Sequence, residues 1–284
     1  MKDVRILSQS NWSKVKGNIV LADFGKNIRL NRVLSKEGCG TLVVAFDHAL
    51  VLGPIPGTED ACGQISRFVE ARVDAILLNL GLIQRCNNCF GRASTTGIIV
   101  RLDWTTVWNS LSQGENGALR SCMLGSPEDA LRHGADAVLT YLVVGTGDAD
   151  FETKEIARNA QLARECERLG LPLMIETLAR GKAVQNPADP QWLKLHTRIA
   201  TELGADVIKT DYSGNVESMR EVVRSCPIPI LVLGGSRTGA ALDVVRGAVQ
   251  AGAAGVFFGR NVFQAEDMGG FLRQARDILN GTAE

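Results

Sequence analysis

The sequence predicts an α/β protein whose main unit is a closed (β/α)8 barrel, or TIM barrel, preceded by an N-terminal extension. Eight short segments rich in β-branched residues recur along the chain, and each is nearly continuously apolar. Such segments are typical of strands buried on both faces of a parallel sheet. They cover residues 41–46, 74–79, 97–102, 136–142, 171–176, 206–209, 228–233 and 255–258. Their starts lie about 31 residues apart, the length of one strand-helix-strand unit.

The connections between the segments support this repeat. A similar junction occurs at 72–76, 134–138, 204–208 and 252–256, and in three of the four a glycine is placed to end the preceding helix in the left-handed conformation. Helix-like stretches lie between the predicted strands. We therefore expect four similar turns.

An open, doubly wound sheet is the main alternative architecture. Such a sheet normally has a glycine-rich turn after its first strand, whereas here the first strand is followed by Asp47, His48, Ala49 and Leu50. Residues 41–284 are therefore predicted to form the barrel as one catalytic domain. Residues 1–40 are predicted to form an extension that packs on the barrel or on a neighbouring subunit.

The composition argues against several classes of protein. The 284 residues are 45% hydrophobic and 22% charged, as in a folded globular protein, and 31 Lys and Arg balance 31 Asp and Glu. Because the chain has no basic excess, we expect no nucleic-acid partner. Because it has no apolar run of about 20 residues, we expect no membrane association.

The seven cysteines predict a reducing compartment. Their number is odd and no signal-peptide pattern precedes them, so we expect a cytoplasmic protein. Cys86 and Cys89 have CxxC spacing, but a single pair is a poor zinc site, and both are predicted to be reduced loop thiols. The three histidines are too scattered for a metal site. His133 ends a predicted helix and His196 lies in a charged helical stretch, so both are predicted to be surface or helix-capping groups.

Candidate functional residues follow from where the strands end, because a (β/α)8 barrel carries its functional groups at the carboxyl ends of its strands. Lys209 ends the sixth segment. Apolar, water-poor surroundings favour the neutral form of an amine, and a neutral amine can attack a ketone to form a Schiff base. The alternative is that Lys209 is a structural charge paired with Asp211 or with a residue of a neighbouring strand.

Two glycine-rich turns predict a phosphate site. Gly234, Gly235 and Ser236 follow the seventh segment, and Gly259 and Arg260 follow the eighth. Backbone N–H groups, a hydroxyl and a guanidinium in such turns can hold a phosphate. The alternative is two ordinary turns among 30 glycines, but their common placement after the last two strands favours a phosphorylated substrate.

Charged groups at two other segment ends complete this set. Asp47 and His48 follow the first segment and suit acid-base catalysis or the binding of substrate hydroxyls, although one of the pair can serve only to orient the other. Glu176 ends the fifth segment. It either takes part in the chemistry or pairs with Lys209 or Arg180, because a buried carboxylate needs a partner.

These residues belong to an ordered set of motifs that resembles the archaeal-type class I fructose-bisphosphate aldolase family, which includes aminodeoxyheptulosonate synthase and the thiolase of phosphorylated autoinducer-2. The motifs are GKNIRLNR at 25–32, FDH at 46–48 followed by Gly53-Pro54 and Gly57, IKTDY at 208–212, GGS at 234–236 and GRNVFQ at 259–264.

The resemblance covers most of the chain and implies a metal-independent (β/α)8 enzyme that forms a homo-oligomer. It implies that Lys209 is the Schiff-base lysine and that Asp47 is the aspartate after the first strand. It also implies that the turns at 234–236 and 259–260 bind phosphate, and Asp211 is a further candidate for substrate binding.

One position departs from the family pattern. In the aldolase and in aminodeoxyheptulosonate synthase, the segment after the fifth strand carries a tyrosine that donates and accepts protons, whereas Leu178 stands at that place here. Either Glu176, His48, Tyr141 or Asp47 takes over that role, or the reaction differs from ordinary aldol cleavage.

Three functions are consistent with these observations. The leading hypothesis is a class I aldolase that cleaves or forms a carbon–carbon bond in a phosphorylated keto sugar or a related three-carbon phosphate through a covalent lysine imine, with no other cofactor. The second is a thiolase-like acyltransferase that acts on a phosphorylated diketone and uses coenzyme A as the acceptor. The third is a catalytically silent barrel that binds a phosphorylated ligand.

Overall fold

The computed structural model describes residues 23–35, 39–91, 94–108, 119–234 and 241–282. The strands in this part of the chain are β1 (Thr41–Ala45), β2 (Ala75–Asn79), β3 (Gly97–Arg101), β4 (Asp103–Thr105), β5 (Ser121–Met123), β6 (Ala137–Val144), β7 (Leu173–Ala179), β8 (Val207–Thr210), β9 (Ile230–Leu233) and β10 (Gly255–Phe258). Eight of them close into a parallel barrel in the order β1-β2-β3-β6-β7-β8-β9-β10, while β4 and β5 form an antiparallel pair.

Helices connect the barrel strands. They are α1 (Asp23–Val33), α2 (Ala49–Leu52), α3 (Ala61–Glu70), α4 (Leu80–Arg85), α5 (Pro127–Arg132), α6 (Ala149–Leu169), α7 (Pro190–Leu203), α8 (Val216–Ser225), α9 (Ala241–Ala251), α10 (Arg260–Phe263) and α11 (Met268–Leu279). Short 3-10 turns cover Asn87–Cys89 and Thr106–Trp108. No helix in the described ranges is long and apolar enough to span a bilayer.

The closed barrel confirms the predicted fold, and all eight predicted segments are barrel strands. Two strands run two or more residues past their predicted ends, β6 to Val144 and β7 to Ala179, and β8 ends one residue later than predicted, at Thr210. The two extensions pair with each other along the barrel, so each supplies the hydrogen-bond partners of the other. As a result Glu176 lies within β7 and not at its end. The β4–β5 pair was not predicted, because three-residue strands carry too short a pattern to be read.

Alternate residues of the barrel strands point into the barrel, since successive side chains of a strand face opposite sides. The inner core contains one or two such residues from each strand: Val43, Ala45, Ala75, Leu77, Ile99, Ala137, Leu139, Met174, Val207, Leu231 and Phe257. The intervening residues face the helices and form the larger outer core. Burial on both faces explains why the strands are continuously apolar in the sequence.

The four predicted junctions form similar turns. Gly134, Gly204 and Gly252 have φ angles of 80°, 100° and 85°, as the left-handed conformation requires. At the fourth junction Arg72 also has a positive φ, of 55°. The chain therefore reverses in the same way before four of the strands.

An aspartate follows three of these turns and secures the amino-terminal end of the barrel. Each carboxylate accepts a backbone N–H from the start of a neighbouring strand. Each also pairs with a cation: Asp74 with Arg276 at 2.8 Å, Asp136 with Arg32 at 3.1 Å and Asp206 with Lys26 at 3.0 Å.

Two of these cations belong to α1, which is the longest described part of the predicted N-terminal extension. Val33, at the end of α1, is fully buried against the inner core. Because Lys26 and Arg32 reach the aspartates at the starts of the strands, α1 packs against the amino-terminal end of the barrel. The carboxyl ends of the strands, where a barrel carries its functional groups, lie at the opposite end.

His196 is not the surface group that the sequence predicted. It is fully buried in α7, and within the described ranges neither ring nitrogen has a hydrogen-bond partner. The prediction was wrong because His196 lies with Leu193 and Ala200 on the buried face of the helix, while the neighbouring charges lie on the other face. Burial, assisted by the positive charge of Arg180, lowers the pKa of His196 to about 3. His133 does cap α5, as predicted.

We expect His196 to make the protein less stable in acid. The unfolded chain binds a proton near the ordinary pKa of 6.5, whereas the folded protein does not until about pH 3, so stability falls as the pH drops through that interval. The contribution is about 1.4 kcal/mol per pH unit. Urea unfolding at several pH values should show that His196→Leu lacks this slope. Parallel pH profiles of the wild type and the variant would contradict the account.

The cysteine prediction was wrong for Cys86. Cys86 forms a disulfide with Cys62, near the start of α3, and the two Cα atoms are 5.3 Å apart. Cys89 is a free thiol as predicted, and its Sγ lies 3.3 Å from the carbonyl oxygen of Cys62. The pairing was not predictable from spacing, because Cys62 lies 24 residues before Cys86 and the fold of the first two strand-helix units brings them together.

The disulfide should contribute to stability by constraining the unfolded chain. A cross-link that closes a loop of this length contributes about 3 kcal/mol. We expect Cys62→Ser to lower the free energy of unfolding by that amount, and Cys39→Ser, which alters an exposed free cysteine, to leave it unchanged. Alkylation of the denatured, unreduced protein should modify five of the seven cysteines. Modification of all seven would show that the bond is absent.

Candidate active site

The inward-facing side chains become polar where the barrel strands end. The residue two positions beyond an inner-core residue also faces the interior, one layer nearer to the carboxyl end. At five places this residue is polar and buried: Asp47, Arg101, Tyr141, Glu176 and Lys209. Tyr141, Glu176 and Lys209 are direct neighbours across β6, β7 and β8. The barrel thus brings together four of the predicted site residues and adds Arg101.

Lys209 is buried in the barrel mouth, with 4% of its surface exposed. Its Nζ lies 3.0 Å from Oε2 of Glu176 and 4.5 Å from the centroid of the Phe257 ring. Of the pairings considered from the sequence, the structure contains the one with Glu176 on the neighbouring strand. Asp211 is half-buried beyond Lys209, and burial raises the pKa of its carboxyl group, although Arg180 opposes the shift.

Arg101 connects the cluster, and the sequence analysis missed it. It is 2% exposed, its Nε donates to Oδ2 of Asp47 at 3.0 Å, and a terminal NH2 group donates to Oε2 of Glu176 at 2.5 Å. Its guanidinium carbon lies 3.8 Å from the centroid of the Tyr141 ring. A signal was present, because an arginine within an apolar strand must be buried beside carboxylates.

The buried cations keep two carboxylates ionised. Burial by itself raises the pKa of a carboxyl group. At Glu176 this effect is outweighed by Lys209 and Arg101, and at Asp47 it is outweighed chiefly by Arg101, so the pKa of each lies below its ordinary value. Both side chains therefore carry a negative charge at neutral pH.

His48 is a neutral group beside Asp47. Its Nδ1 is 3.5 Å from Oδ1 of Asp47, a long distance for a hydrogen bond. Burial lowers the pKa of His48; Asp47 opposes this, while Lys209 and Arg260 add to it. Gly259 packs so closely on the imidazole that a Cβ at this position would collide with the ring.

A further carboxylate supports the cluster from the side of β4. Asp103 is 1% exposed, accepts the backbone N–H of Tyr141 at 2.8 Å and pairs with Arg158 at 3.0 Å. Burial raises the pKa of the Asp103 carboxyl group, and it raises the pKa of the Tyr141 phenol well above 10.0. The phenol therefore keeps its proton at neutral pH.

Leu178 faces the same end of the barrel but belongs to an apolar surface. It is fully buried in a small cluster with Tyr141, Val143 and Phe151. The place that corresponds to the family's tyrosine is therefore apolar here, and Tyr141 on the neighbouring strand is the phenol that this cluster contains.

The predicted phosphate turns follow β9 and β10. Nδ2 of Asn261 donates to the carbonyl oxygen of Gly234 at 2.8 Å and so ties the end of β9 to α10. Arg260 begins α10 and is half-buried. Gly235 and Ser236 lie outside the described residues. Over the ranges that the structure describes, no group of three or more His, Cys, Asp or Glu side chains is arranged to hold a metal ion.

Comparison with known proteins identifies the class of enzyme that this fold and site define. The model of the DeoC/LacD family aldolases matches residues 41–265, which extend from β1 past the end of α10. The chain belongs to this family, and the protein is an aldolase-type lyase.

Relatives that are named for an activity match nearly the whole chain. The 2-amino-3,7-dideoxy-D-threo-hept-6-ulosonate synthase of Halobacterium salinarum is 35% identical over 266 residues, which are 93% of this chain and 95% of the relative. The 2-amino-4,5-dihydroxy-6-oxo-7-(phosphonooxy)heptanoate synthase of Streptomyces griseus is 32% identical over 265 residues, which are 92% of both chains.

A solved structure is similar in fold as well as in sequence. It is an archaeal fructose-1,6-bisphosphate aldolase whose catalytic lysine is covalently bound to the carbinolamine intermediate of the substrate. It matches with a TM-score of 0.77 and 27% identity, covering 90% of this chain and 100% of the aldolase.

We expect Glu176→Gln to destabilise the protein, because it leaves Arg101 and Lys209 buried with one fewer carboxylate. Removal of one partner from a buried ion pair costs about 3 kcal/mol or more. The pKa of Glu176 is lower in the folded protein than its ordinary value of 4.5, so its contribution is complete above that value and is lost as the pH falls through the folded-state pKa. Urea unfolding at neutral and acid pH measures both effects. A difference between the two proteins that does not shrink in acid would refute this assignment.

Proposed function

We propose that this protein is a class I aldolase in which Lys209 forms an imine with a phosphorylated keto substrate. A carbon–carbon bond is then cleaved or formed next to that imine. The observation that carries the proposal is a primary amine that is 96% buried among ionisable groups at the mouth of an aldolase-family barrel. The covalent lysine intermediate of the archaeal relative supports the same chemistry.

The proposed reaction begins with attack of the neutral Nζ of Lys209 on the ketone carbon. A proton passes from the nitrogen to the oxygen, giving a carbinolamine; its hydroxyl then takes up a proton from solvent and leaves as water, and an iminium remains. In the cleavage direction the β-hydroxyl of the substrate loses its proton and the adjacent carbon–carbon bond breaks. The electron pair of that bond moves into the iminium to give an enamine, and an aldehyde leaves. Condensation follows the same steps in reverse.

The polar cluster offers a separate group for each proton transfer. Glu176 is 3.0 Å from Nζ, so we assign it to receive the proton that Lys209 loses before attack and to pass it on to solvent, after which its carboxylate is ionised again. In the condensation direction we assign to Tyr141 the donation of a proton to the oxygen of the incoming aldehyde, because its raised pKa keeps the phenol protonated and its ring is held beneath Arg101. Asp47 and His48, at the next strand end, would orient the substrate hydroxyls. In this assignment Tyr141 takes the role that Leu178 cannot perform.

A phosphate group on the substrate would anchor it at the turns after β9 and β10. Besides burial, the positive charges of Lys209 and Arg260 lower the pKa of His48, so both cations are near enough to favour an anion on this side of the mouth. The Streptomyces relative is named for a product with a ketone at C6 and a phosphate ester at C7. We therefore propose a ketone with a neighbouring phosphate ester as the substrate class, held by Gly234, Gly235, Ser236, Gly259, Arg260 and Asp211.

Reductive trapping tests the proposal. With dihydroxyacetone phosphate and sodium borohydride, the wild type should gain the mass of the reduced substrate at Lys209, because borohydride converts an imine into a stable secondary amine. Lys209→Met should gain nothing, while Lys182→Met, which alters an exposed lysine after β7, should behave as the wild type. Peptide mapping by mass spectrometry locates the label. An unmodified Lys209 under saturating substrate counts against the proposal.

The acyltransferase alternative differs from the aldolase reaction because it needs coenzyme A as the acceptor. Product analysis with and without coenzyme A should show turnover that does not depend on the thiol. Strict dependence on coenzyme A, with trapping at Lys209, would move the protein to the acyltransferase reaction.

A further inference from the structure

Arg101 is the only side chain among the described residues that contacts Asp47, Glu176 and Tyr141 together. It is also the largest of the described side chains that are fully buried. Its strand places it there, because Ile99, two residues earlier, belongs to the inner core and inward residues alternate. Despite these contacts, Arg101 has no role in the reaction steps proposed above.

The sharing of Glu176 is the feature that carries the inference. One oxygen, Oε2, accepts from Arg101 at 2.5 Å and faces Nζ of Lys209 at 3.0 Å. The two cations therefore compete for a single carboxylate atom and repel each other across it. Each weakens the hold that the carboxylate has on the other.

The orientation of the guanidinium supports the same role. A guanidinium donates from a rigid, planar fork, so a hydrogen bond to Asp47 on one edge fixes the direction of the one to Glu176 on another. Its other terminal nitrogen lies 3.6 Å from Oδ1 of Asp103, close enough for an ion pair but without a hydrogen bond, and the other oxygen of Asp103 is paired with Arg158. Arg101 is thus oriented by hydrogen bonds to Asp47 and Glu176 and faces a third carboxylate.

We infer that Arg101 is a positioning residue that prevents Glu176 from locking Lys209 in its ammonium form, and so keeps the amine available for attack. The inference deepens the proposed function and rests on it for the catalytic consequence. The effect on the Lys209 amine itself needs no substrate and can be measured separately.

The chemistry explains why such a residue is needed. If Glu176 faced Lys209 alone, the buried pair would hold the proton on Nζ, since separating two charges in a water-poor site is costly. With Arg101 present, Glu176 keeps a cationic partner when Lys209 becomes neutral, so no carboxylate is left buried without one. The proton can then leave Nζ without disrupting the rest of the cluster.

Competitive labelling with acetic anhydride at pH 8 reports the neutral fraction of the Lys209 amine, because only the neutral form reacts. We expect Arg101→Met to reduce the labelling rate of Lys209 by about tenfold, the change that a displaced neighbouring charge produces. The matched control is Arg158→Met, which removes another largely buried arginine that pairs with Asp103 and Glu155. It should change the rate by less than about twofold.

The double variant R101M/E176Q removes the arginine and the carboxylate together. It removes both members of the Arg101–Glu176 pair, whereas R101M leaves Glu176 facing Lys209 alone. We expect its labelling rate to return to within about threefold of the wild type, because no carboxylate remains to hold the ammonium.

The outcomes distinguish a failure of the role inferred for Arg101 from a failure of the proposed function. Unchanged labelling in R101M, an equal loss in R158M, or no recovery in the double variant overturns the role of Arg101. If the labelling results are as expected but the wild type forms no imine with dihydroxyacetone phosphate, the proposed function fails while the control of the Lys209 amine by Arg101 stands.

Discussion

The need to neutralise charge inside the barrel mouth is the constraint on which the rest of the structure depends. Asp47, Arg101, Glu176 and Lys209 are all more than nine-tenths buried, and none of them is tolerable there alone. Together they form a chain of ion pairs from Asp47 through Arg101 and Glu176 to Lys209. The charged amine of Lys209 can be kept away from water only because this chain supplies its counter-charge.

The barrel provides the geometry that the ion pairs require. Side chains of a strand alternate between the two faces, so the inward-facing residues that follow the apolar inner core also point into the barrel, and these form the polar cluster. The core and the site are therefore successive layers of one interior. The opposite end of the barrel is secured separately by Asp74, Asp136 and Asp206, two of them bound to α1. The two groups of charged residues therefore occupy opposite ends of the barrel, and the candidate site lies at the end where this architecture usually carries its functional groups.

The sequence was sufficient to predict the barrel because its evidence is local and repeated: eight apolar segments, four similar junctions and one spacing. It also predicted Asp47, Tyr141, Glu176 and Lys209 as neighbours of the site, because strand ends meet at one edge. Arg101 was not predicted as a site residue, because its partners lie 54 and 75 residues away in the sequence and no local pattern indicates which residues they are. His196 and the Cys62–Cys86 bond were missed for a related reason. Which helix face is buried, and which cysteines meet, is decided by tertiary packing.

The most direct test of the central claim is a crystal structure of the protein after borohydride reduction in the presence of dihydroxyacetone phosphate. The account predicts continuous electron density from Nζ of Lys209 to the former carbonyl carbon, with the phosphate beside Gly259 and Arg260 and with Glu176 still bound to Arg101. Density on another lysine, or a phosphate on the side of the mouth away from these turns, would contradict it.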